Sequence, residues 1–570
     1  MTVRPPALET SDERPRTFAD LGFERQPMVR WLSPRILADA ALRVLVSSLF
    51  GQYADKREFQ AALDPTPGPP LSYGEADEQN GALWLDFVAD LGDGFDATYA
   101  VASLLGQRSL ELTEGGDFAE WPQADPHRPL PRGRALVMGG DEVYPVATRE
   151  EYENRFRGPY AAACPSTAAP APDLLAIPGN HDWYDGLTNF LRFFCAGREI
   201  GAWKTRQRRS YFAVQLPHRW WLLAIDIQLD TFIDEPQLAY FKGLDLEQGD
   251  RVILVTGKPS WTKVRRDHVP DSHKNLEYFV DNVVREAGAE VRLTLTGDLH
   301  HYCRYRSDDG GHDLVTAGGG GAYLYPTHTM PRELELPDGR YEQRACYPSP
   351  ESSEGLTKGA RKLPWLAPGL CAAIAGLYAS LAASLFAAIE IRPGWFVASA
   401  AIGLIMLLSL VGYAAAETRA GKWRLGALHW LAHVTGAAVL AVVAAAVADA
   451  DWLVVPVAAL GATIGYFGGG FIFGEYLIRS HRRAPKHANE VLACQGIPDY
   501  KNFLRLRLDQ EGLTVYPIGI RRVPRQWEPA PEGGAEEPWL RSTDGPLEAG
   551  LIEPPFQVPA RRPKADHSNS

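Results

Sequence analysis

Four long apolar segments follow Lys362, and they limit what the chain can fold into more than any other feature of its sequence. They cover residues 364–389, 395–416, 425–448 and 452–478, where charged side chains are nearly absent. A helix needs about 20 residues to cross the hydrocarbon core of a bilayer, so each segment is long enough. The series, with its short polar connectors, predicts an all-α bundle of four transmembrane helices at residues 363–480.

Basic residues collect at one end of this predicted bundle. They precede the first helix, separate the second from the third and follow the fourth: Lys358, Arg361, Lys362, Arg419, Lys422, Arg424, Arg479, Arg482, Arg483 and Lys486. The positive-inside rule places such flanks in the cytoplasm. We therefore expect an integral protein of the cytoplasmic membrane, with the bilayer as a partner and with the long soluble part and the C-terminus on the cytoplasmic side.

Two histidines stand out inside the third predicted helix. His429 and His433 are four residues apart and therefore share one face of that helix. Polar groups at membrane depth are often functional, whereas those near the interface cost little, and the sequence leaves both interpretations open.

The net charge and the spacing of the cysteines limit which partners and which cellular compartment the soluble part can have. A formal net charge of -12 over 570 residues argues against nucleic acid as a partner, because such binding depends on Lys and Arg. The six cysteines are scattered without a CxxC motif or a regular spacing, which is not typical of a disulfide framework. A reducing compartment is the simpler interpretation.

The flanking segments give separate predictions. Residues 27–63 carry apolar side chains at helical spacing, so we expect residues 1–80 to form an N-terminal helical segment. After the bundle, YKNFLRLRLDQEGLTVYPIGI alternates apolar and polar residues around DQEG, which predicts a β-hairpin within residues 481–527. The hairpin should join the soluble domain, because an isolated ribbon is marginal in water. Pro, Glu, Gly and Ser dominate residues 528–570, where we expect a disordered tail.

Several apolar, strand-like runs within residues 81–362 each end in a small polar cluster. LWLDFVADLGDG carries Asp90, RALVMGGDEVYP carries Asp141 and Tyr144, LLAIPGNHDWYDG carries Asn180, His181 and Asp182, and VRLTLTGDLHHY carries Asp298, His300 and His301. Strand ends at one edge of a sheet bring distant residues to one point. Carboxylates, an amide, imidazoles and a phenol meeting there would form a site for one or two hard or borderline cations.

At these residues the sequence resembles the calcineurin-like metallophosphoesterases. The most specific match is GNHD at residues 179–182, and GGDEVY matches the G-D-x-x-Y variant found in purple acid phosphatases. In that variant the preceding block is D-x-G, as in Asp90-Leu91-Gly92 here. The resemblance covers about residues 83–328, and four blocks in order are a stronger signal than any one of them. It implies an α/β catalytic domain at residues 81–362, built as a β-sandwich flanked by helices.

The resemblance also implies roles for individual residues. Two metal ions, divalent or of mixed valence and drawn from Fe, Mn, Mg and Zn, would be held by Asp90, Asp141, Tyr144, Asn180, Asp298 and His300. Asp141 would bridge the ions. Asp90, Tyr144 and His300 would complete the first site, and Asn180 and Asp298 would serve the second. His181 would donate to the phosphoryl oxygens or protonate the leaving group, and Asp182 would orient the ring of His181.

Two positions depart from the family pattern. Asp298 replaces an imidazole ligand with a carboxylate, and Lys258 stands where the family has a lone histidine. The second site is then either an all-oxygen site for weakly bound Mg²⁺ or Mn²⁺, or Lys258 points into it and offsets phosphate charge. A third option is that His268 or His273 supplies the missing ligand. His301 is expected beside the ligands or the substrate.

Two functions therefore stay open at this stage. The first is a membrane-anchored phosphoesterase in which a metal-activated hydroxide hydrolyses a phosphate ester, and its place at the bilayer points to a lipid or lipid-linked substrate. The second is a catalytically impaired membrane regulatory or interaction protein that keeps the phosphoesterase fold, as the missing histidine suggests. The glycines of AGGGGAYLYPTH, residues 317–328, either cradle phosphate or make room in a crowded site.

Overall fold

The chain divides into two structural units, and the second interrupts the first in sequence. The computed structural model describes residues 14–39, 55–63, 68–115, 118–120, 128–167, 170–227, 232–417, 421–447, 450–483 and 486–559. The two-sheet unit comprises residues 1–29, 40–350 and 498–570, and the helical unit comprises residues 30–39 and 351–497. The divisions fall at 350 and 497, not at 362 and 480. Residues 1–13, 40–54 and 64–67 of the predicted N-terminal helical segment lie outside the described residues.

Two mixed sheets, each of nine described strands, form the two-sheet unit. Sheet A contains β1 Leu71–Ser72, β9 Phe212–Leu216, β10 Trp220–Ile225, β11 Arg251–Thr256, β12 Glu290–Thr296, β13 Tyr302–Ser307, β14 Asp313–Ala317, β15 Glu333–Leu336 and β16 Gly339–Tyr347. Sheet B contains β2 Leu83–Val88, β5 Ala135–Met138, β6 Asp173–Ala176, β7 Glu199–Ile200, β8 Trp203–Thr205, β17 Lys501–Leu508, β18 Gly512–Ile520, β21 Gly550–Leu551 and β22 Phe556–Pro559. Two short ribbons pair β3 Ser109–Leu110 with β4 Leu130–Pro131 and β19 Trp527–Pro529 with β20 Leu540–Ser542.

The strand order places one group of parallel strands inside each sheet. Sheet A runs β1-β9-β10-β11-β12-β14-β13-β16-β15, and β10, β11, β12 and β14 are parallel to one another. Sheet B runs β21-β18-β17-β2-β5-β6-β8-β7, with β22 also paired to β18, and β2, β5 and β6 are parallel. The carboxyl ends of parallel strands share one edge, so each sheet has an edge at which loops can gather.

Helices cover the outer faces of the two sheets. Their bounds are Lys56–Leu63, Phe95–Gly106, Arg149–Glu151 continuing through Tyr152–Arg157 and Gly158–Ala163, Thr188–Phe194, Glu235–Lys242, and Asp271–Phe279 continuing through Val280–Arg285. One apolar cluster joins the two sheets to each other, for example through Leu85 and Leu293. Two further clusters join the sheets to helices. The order helix, sheet, sheet, helix agrees with the expected α/β sandwich flanked by helices.

The C-terminal residues contradict the expectation of a disordered tail beyond residue 528. There, β21 and β22 both pair with β18, and β20 pairs with β19. Leu540, Leu551 and Val558 are buried in the two clusters that contact sheet B. The prediction failed because it was based on the overall Pro, Glu and Gly content. A few well-spaced apolar residues are enough to hold a segment on an existing sheet edge.

One cysteine pair also departs from expectation. Cys303 of β13 and Cys346 of β16 are opposite each other in the antiparallel ladder and form a disulfide. The two residues are 43 apart in sequence, and only the strand register brings them together. Disulfides persist mainly in oxidising compartments, so this pair weighs against the reducing compartment predicted from cysteine spacing.

Within its described residues, the helical unit contains four helices long and apolar enough to span a membrane: Pro368–Glu390, Trp395–Ala415, Lys422–Val447 and Asp451–Arg483. The last is continuous through Asp451–Leu453, Val454–Ile464, Gly465–Gly469 and Gly470–Arg483, and the second extends to Glu417. Shorter helices at Pro350–Leu356, Thr357–Lys362, Leu363–Leu366 and Ala488–Ala493 flank them. Large apolar side chains on the spans stay exposed, such as Leu404, Ile405 and Val442. Such surfaces are stable in lipid and unfavourable in water.

Candidate metal centre

Four polar loops follow the carboxyl ends of parallel strands. Asp90, Asp141 and Asn180 come after β2, β5 and β6 of sheet B, and Asp298 comes after β12 of sheet A. The three aspartates adopt left-handed backbone conformations, with φ of 59°, 56° and 68°. This region is unfavourable for most residues and tolerated by Asp. Strained backbone of this kind concentrates at functional sites, and here it turns the chain sharply just beyond each strand.

The phenol oxygen of Tyr144 is the centre of the cluster. It lies 3.1 Å from Asp90 Oδ1, 3.1 Å from Asp141 Oδ2 and 3.1 Å from His300 Nε2. His300 Nε2 is also 3.9 Å from Asp90 Oδ1. All four side chains are buried. The structure thus brings together the four residues that the sequence predicts for the first metal site.

The 3.1 Å distances are hydrogen-bond contacts of the phenol, and they are also close to the spacing of neighbouring ligands around one cation. Metal–ligand bonds of about 2.1 Å place neighbouring ligands of an octahedron about 3 Å apart. When only His, Cys, Asp and Glu are counted, no group of three or more in the described part of the chain could hold a metal ion. The candidate centre therefore depends on the oxygen of Tyr144 to complete its donor set.

The charges in the cluster repel one another. Burial, followed by the neighbouring Asp141 and Asp298, raises the pKa of Asp90 well above its ordinary value. Burial, followed by Asp182 and Asp298, does the same to the pKa of Asp141. Asp90 Oδ2 is buried and has no hydrogen-bond partner within the described residues. A cation among these carboxylates would remove the repulsion and restore their charged forms, so the residues present fit a metal ion.

Burial and neighbouring charges also shift the pKa values of His300 and Tyr144. Burial lowers the pKa of His300 well below its usual value, and the charge of Lys501 lowers it further. The imidazole is therefore neutral, which is the form that binds metals. Burial and the nearby Asp141 and Asp90 raise the pKa of Tyr144. A cation would act in the opposite direction and favour the phenolate.

Two glycines allow the backbone to approach the carboxylates. A Cβ on Gly179 would lie 2.0 Å from Asp141 Oδ1, and a Cβ on Gly318 would lie 2.1 Å from Asp90 Oδ2. Any side chain at either position would displace a proposed ligand. This is a steric requirement of the kind that glycine alone meets.

The glycine run at 318–321 is tightly packed, since a Cβ at any of its four positions would lie within 2.4 Å of a neighbouring atom, and two of its amides are bonded to carbonyls. The amide of Gly318 donates to the carbonyl of His301 at 3.0 Å, and that of Gly320 donates to the carbonyl of Ala89 at 2.8 Å. Amides already bonded to carbonyls are poor donors for a bound anion. Of the two interpretations left open by the sequence, the structure favours the steric one.

His181 lies against the phenol of Tyr144, with ring centroids 4.4 Å apart. Its Nδ1 is 2.9 Å from the carbonyl oxygen of Pro145, and its backbone amide donates to Asp141 Oδ1 at 2.8 Å. Because a carbonyl only accepts, Nδ1 carries the proton of the neutral ring. Burial lowers the pKa of His181 to about 4.

Asp182 has a different role from the one expected. Its carboxylate accepts hydrogen bonds from the amides of Gly179 at 2.8 Å and Asp141 at 3.0 Å, and from the hydroxyl of Tyr152. The ring of His181 is instead held by Pro145. Asp182 therefore fixes the backbone of the loops that carry the ligands, because its acceptor capacity is used by backbone amides.

The remaining predicted residues lie around this cluster. Asn180 donates through Nδ2 to the hydroxyl of Tyr184 at 3.2 Å, and the amide of Asp298 donates to Asp90 Oδ1 at 3.1 Å. His301 is fully buried, and its Nδ1 is 3.3 Å from a backbone carbonyl oxygen. Lys258 is half-buried and follows β11, the parallel neighbour of β12. The second metal site and the substrate contacts of Lys258 and His301 stay predictions.

Sequence reasoning missed a buried lysine beside the centre. Lys501 begins β17, the antiparallel neighbour of β2, and its ammonium donates to the carbonyl of Ala322. Burial lowers its pKa to about 8, against the opposing effects of Asp93, Asp499 and Asp90. The strand alternates as predicted, but helices cover the face that carries Lys501. The sequence signal was weak, because the same strand also carries Asn502, Arg505 and Arg507.

Comparisons with known proteins give no family for this chain. No protein-family model matches it, and neither does any curated protein. Three similar solved structures are GAP50, the anchor in the inner membrane complex of Plasmodium, PhoD, and purple acid phosphatase PPD1 from yellow lupin, Lupinus luteus. Their identities are 12%, 10% and 12%, and their TM-scores 0.30, 0.28 and 0.24. The alignments cover 46%, 45% and 43% of this chain and 78%, 60% and 45% of the respective structures. Similarities this weak carry no argument about function.

Proposed function

We propose that the protein is a membrane-anchored, metal-dependent phosphoesterase that hydrolyses a phosphate ester. The observation that carries this proposal is the meeting of Asp90, Asp141 and His300 around the oxygen of Tyr144, each at 3.1 Å. Four donors from three separate loops, all buried, have no evident structural need to converge. A metal ion bound there would supply Lewis acidity toward a phosphoryl oxygen and lower the pKa of water.

His181 is the side chain that we expect to transfer a proton during hydrolysis. Nδ1–H of His181 donates to Pro145, so Nε2 of the neutral ring is an acceptor at neutral pH. An anionic phosphoryl group near the ring would raise its pKa, and only then would Nε2 donate as the sequence predicts. Asp182 keeps the loop of His181 in place through the backbone amides it accepts.

A second metal ion is the finer part of the proposal. Asn180 and Asp298 would hold it with Asp141 as the bridge, and all three provide oxygen atoms. An all-oxygen site favours Mg²⁺ or Mn²⁺ over Zn²⁺ and binds them with modest affinity. Lys258 would offset substrate charge in place of the lone histidine.

The membrane spans support a substrate that is a phospholipid or a lipid-linked phosphate, since such substrates are concentrated at the bilayer. By the positive-inside rule we place the two-sheet unit in the cytoplasm. The Cys303–Cys346 disulfide argues for the opposite side. Labelling of Arg266→Cys with an impermeant maleimide in intact cells would separate the two placements, because the side chain at this position in the two-sheet unit is exposed.

A second function is favoured by one observation. Gly257 and Lys258 follow β11 where an imidazole ligand would complete the second site. A chain with one occupied site, or none, would be a regulatory or interaction protein with a phosphoesterase-like centre. The two functions differ in whether the purified protein holds metal and turns over a phosphate ester.

The test measures metal content and hydrolysis of a generic phosphomonoester and phosphodiester by the full chain in detergent. We expect Tyr144→Phe to weaken metal binding by at least about 100-fold and to abolish hydrolysis, because one of four donors is lost. Tyr160→Phe is the matched control. Tyr160 is fully buried, and its hydroxyl has no partner within the described residues, so this variant should retain metal and activity.

Two results would overturn the proposal. One is a wild-type protein that holds no metal and is as inert as Tyr144→Phe, which would favour the regulatory function. The other is full activity in Tyr144→Phe, which would show that the phenol is not part of the centre.

A further inference from the structure

The helical unit contains a cleft of about 510 Å³ that the proposed function does not use. It lies between the start of the third span and the C-terminal half of the fourth. Its apolar wall is formed by Leu425, Leu428, Phe471 and Ile472. Leu428 is 55% exposed and Phe471 is 48% exposed, so this wall opens onto the outer surface of the spans. In a membrane that surface faces acyl chains.

One end of the cleft is basic. Arg479, Arg483 and Lys486 line it, together with a single carboxylate, that of Glu475. Glu475 accepts from Arg479 at 3.2 Å and also from Arg361, which lies outside the cleft. One carboxylate shared by two guanidinium groups leaves excess positive charge at this end. Basic groups at a membrane surface attract anionic lipid head groups.

His429 closes the inner side of the cleft through contacts within the helical unit. It lines the cleft, is only 4% exposed, and stacks on Tyr476 with ring centroids 4.1 Å apart. Its Nε2 is 3.1 Å from Nε2 of His433, whose Nδ1 is 3.0 Å from the hydroxyl of Tyr378. Nδ1 of His429 is buried without a hydrogen-bond partner within the described residues.

We infer that this cleft is a binding site for one anionic glycerophospholipid. The apolar wall takes an acyl chain, and the arginines and Lys486 take the phosphate. This lipid is a bound component of the helical unit and not a substrate. The site is independent of the proposed hydrolysis, since every residue that forms it belongs to the helical unit.

The experiment uses the full chain in detergent, mixed with equal amounts of phosphatidylglycerol and phosphatidylcholine. Native mass spectrometry counts the lipids that remain bound. We expect wild type to retain one phosphatidylglycerol in preference to phosphatidylcholine. Each basic residue strengthens attraction to anionic lipid about fivefold, so Arg479→Gln/Arg483→Gln should weaken the preference about 25-fold.

Lys362→Gln/Arg482→Gln is the matched control, because it removes two exposed charges near the same helix ends from residues that do not line the cleft. It should keep the preference for phosphatidylglycerol. Leu428→Trp should lose the lipid with all charges intact, because the indole fills the apolar part of the cleft. Size-exclusion elution identical to wild type would show that each variant is folded.

Three outcomes would overturn the inference. Equal loss in both double variants would show a general charge effect. Retention of the lipid by Leu428→Trp would place the lipid elsewhere. Displacement of phosphatidylglycerol by glycerol phosphate at millimolar concentration would identify a site for soluble anions, since the acyl chain would then contribute nothing. Hydrolysis assays do not enter these readouts, so failure here leaves the proposed function untouched.

Discussion

At the scale of single residues, the candidate centre combines predictable chemistry with a conformation that the sequence did not reveal. The motifs named Asp90, Asp141, Tyr144 and His300 as ligands because of their order and residue types. Their backbone strain was not predictable, because Asp at a left-handed φ has no distinctive sequence signature. The role of Asp182 was misassigned for a related reason: which donors surround a buried carboxylate depends on tertiary contacts.

The loop that contains His181 is held by a hydrogen bond from its Trp183 to the buried carboxylate of Asp226. Asp226 accepts from Nε1 of Trp183 at 3.1 Å and from the hydroxyl of Ser210 at 2.6 Å, and Arg57 lies 3.8 Å away. Burial, partly opposed by Arg57 and by these hydrogen bonds, raises the pKa of Asp226 from 3.8 to about 6. Because the folded state binds this proton more tightly than the unfolded state does, the folded protein becomes less stable as the pH rises from about 4 to about 6.

We predict that replacing Asp226 with Asn removes part of the pH dependence of folding. Between pH 4 and pH 7, ionisation of Asp226 should lower the wild-type free energy of unfolding by roughly 3 kcal/mol, and the variant should lack this contribution. Chemical unfolding at the two pH values measures it. Identical pH dependence in the two proteins would show that folding does not shift the pKa of Asp226.

At the scale of elements, one ion pair fixes the C-terminal hairpin to the strand that precedes Asp90. Arg505 of β17 is fully buried, and its Nε and Nη2 lie 2.7 Å and 3.2 Å from the carboxylate oxygens of Asp86 in β2. Alternation in this strand correctly predicts that Leu504 and its apolar neighbours enter the sandwich core. It cannot show that the opposite, charged face is also covered, because that depends on helices from elsewhere in the chain.

We predict that Arg505→Met lowers the free energy of unfolding by about 3–5 kcal/mol, because it leaves Asp86 buried and unpaired. Arg505→Met/Asp86→Leu should recover much of that loss. Arg525→Met is the surface control: its pair with Asp499 is 3.1 Å long but largely exposed, so the change should be under about 1 kcal/mol. Denaturant titration compares the variants, and equal effects at both arginines would contradict the prediction.

At the scale of the whole molecule, every proposed ligand lies in the two-sheet unit, and every candidate membrane span lies in the helical unit. Hydropathy located the spans within a few residues, because a long apolar run has few alternative structures. The ordered C-terminus and the disulfide escaped prediction, since both depend on which strands become neighbours. Composition and cysteine spacing do not contain that information.

We predict that the two-sheet unit folds without the spans. Residues 351–497 would be replaced by a Gly/Ser linker of about 20 residues, whose mean reach is roughly 25 Å. The shortened chain should stay soluble without detergent and bind metal as the full chain does, because no proposed ligand has been removed. Metal analysis and size-exclusion chromatography test this. Aggregation, or loss of metal in a soluble product, would mean that the spans complete the domain.

The pairing of β17 with β2 also sets the order of events during synthesis. The ribosome makes β2, the strand before Asp90, early in synthesis. It then makes all four apolar helices, and only afterwards β17, the strand that pairs with β2 in sheet B. Until then the nascent domain keeps an open sheet edge, a state prone to incorrect pairing. Maturation of the centre therefore follows insertion of the helices, and a chain cut short within them would leave the ribosome incomplete and inactive.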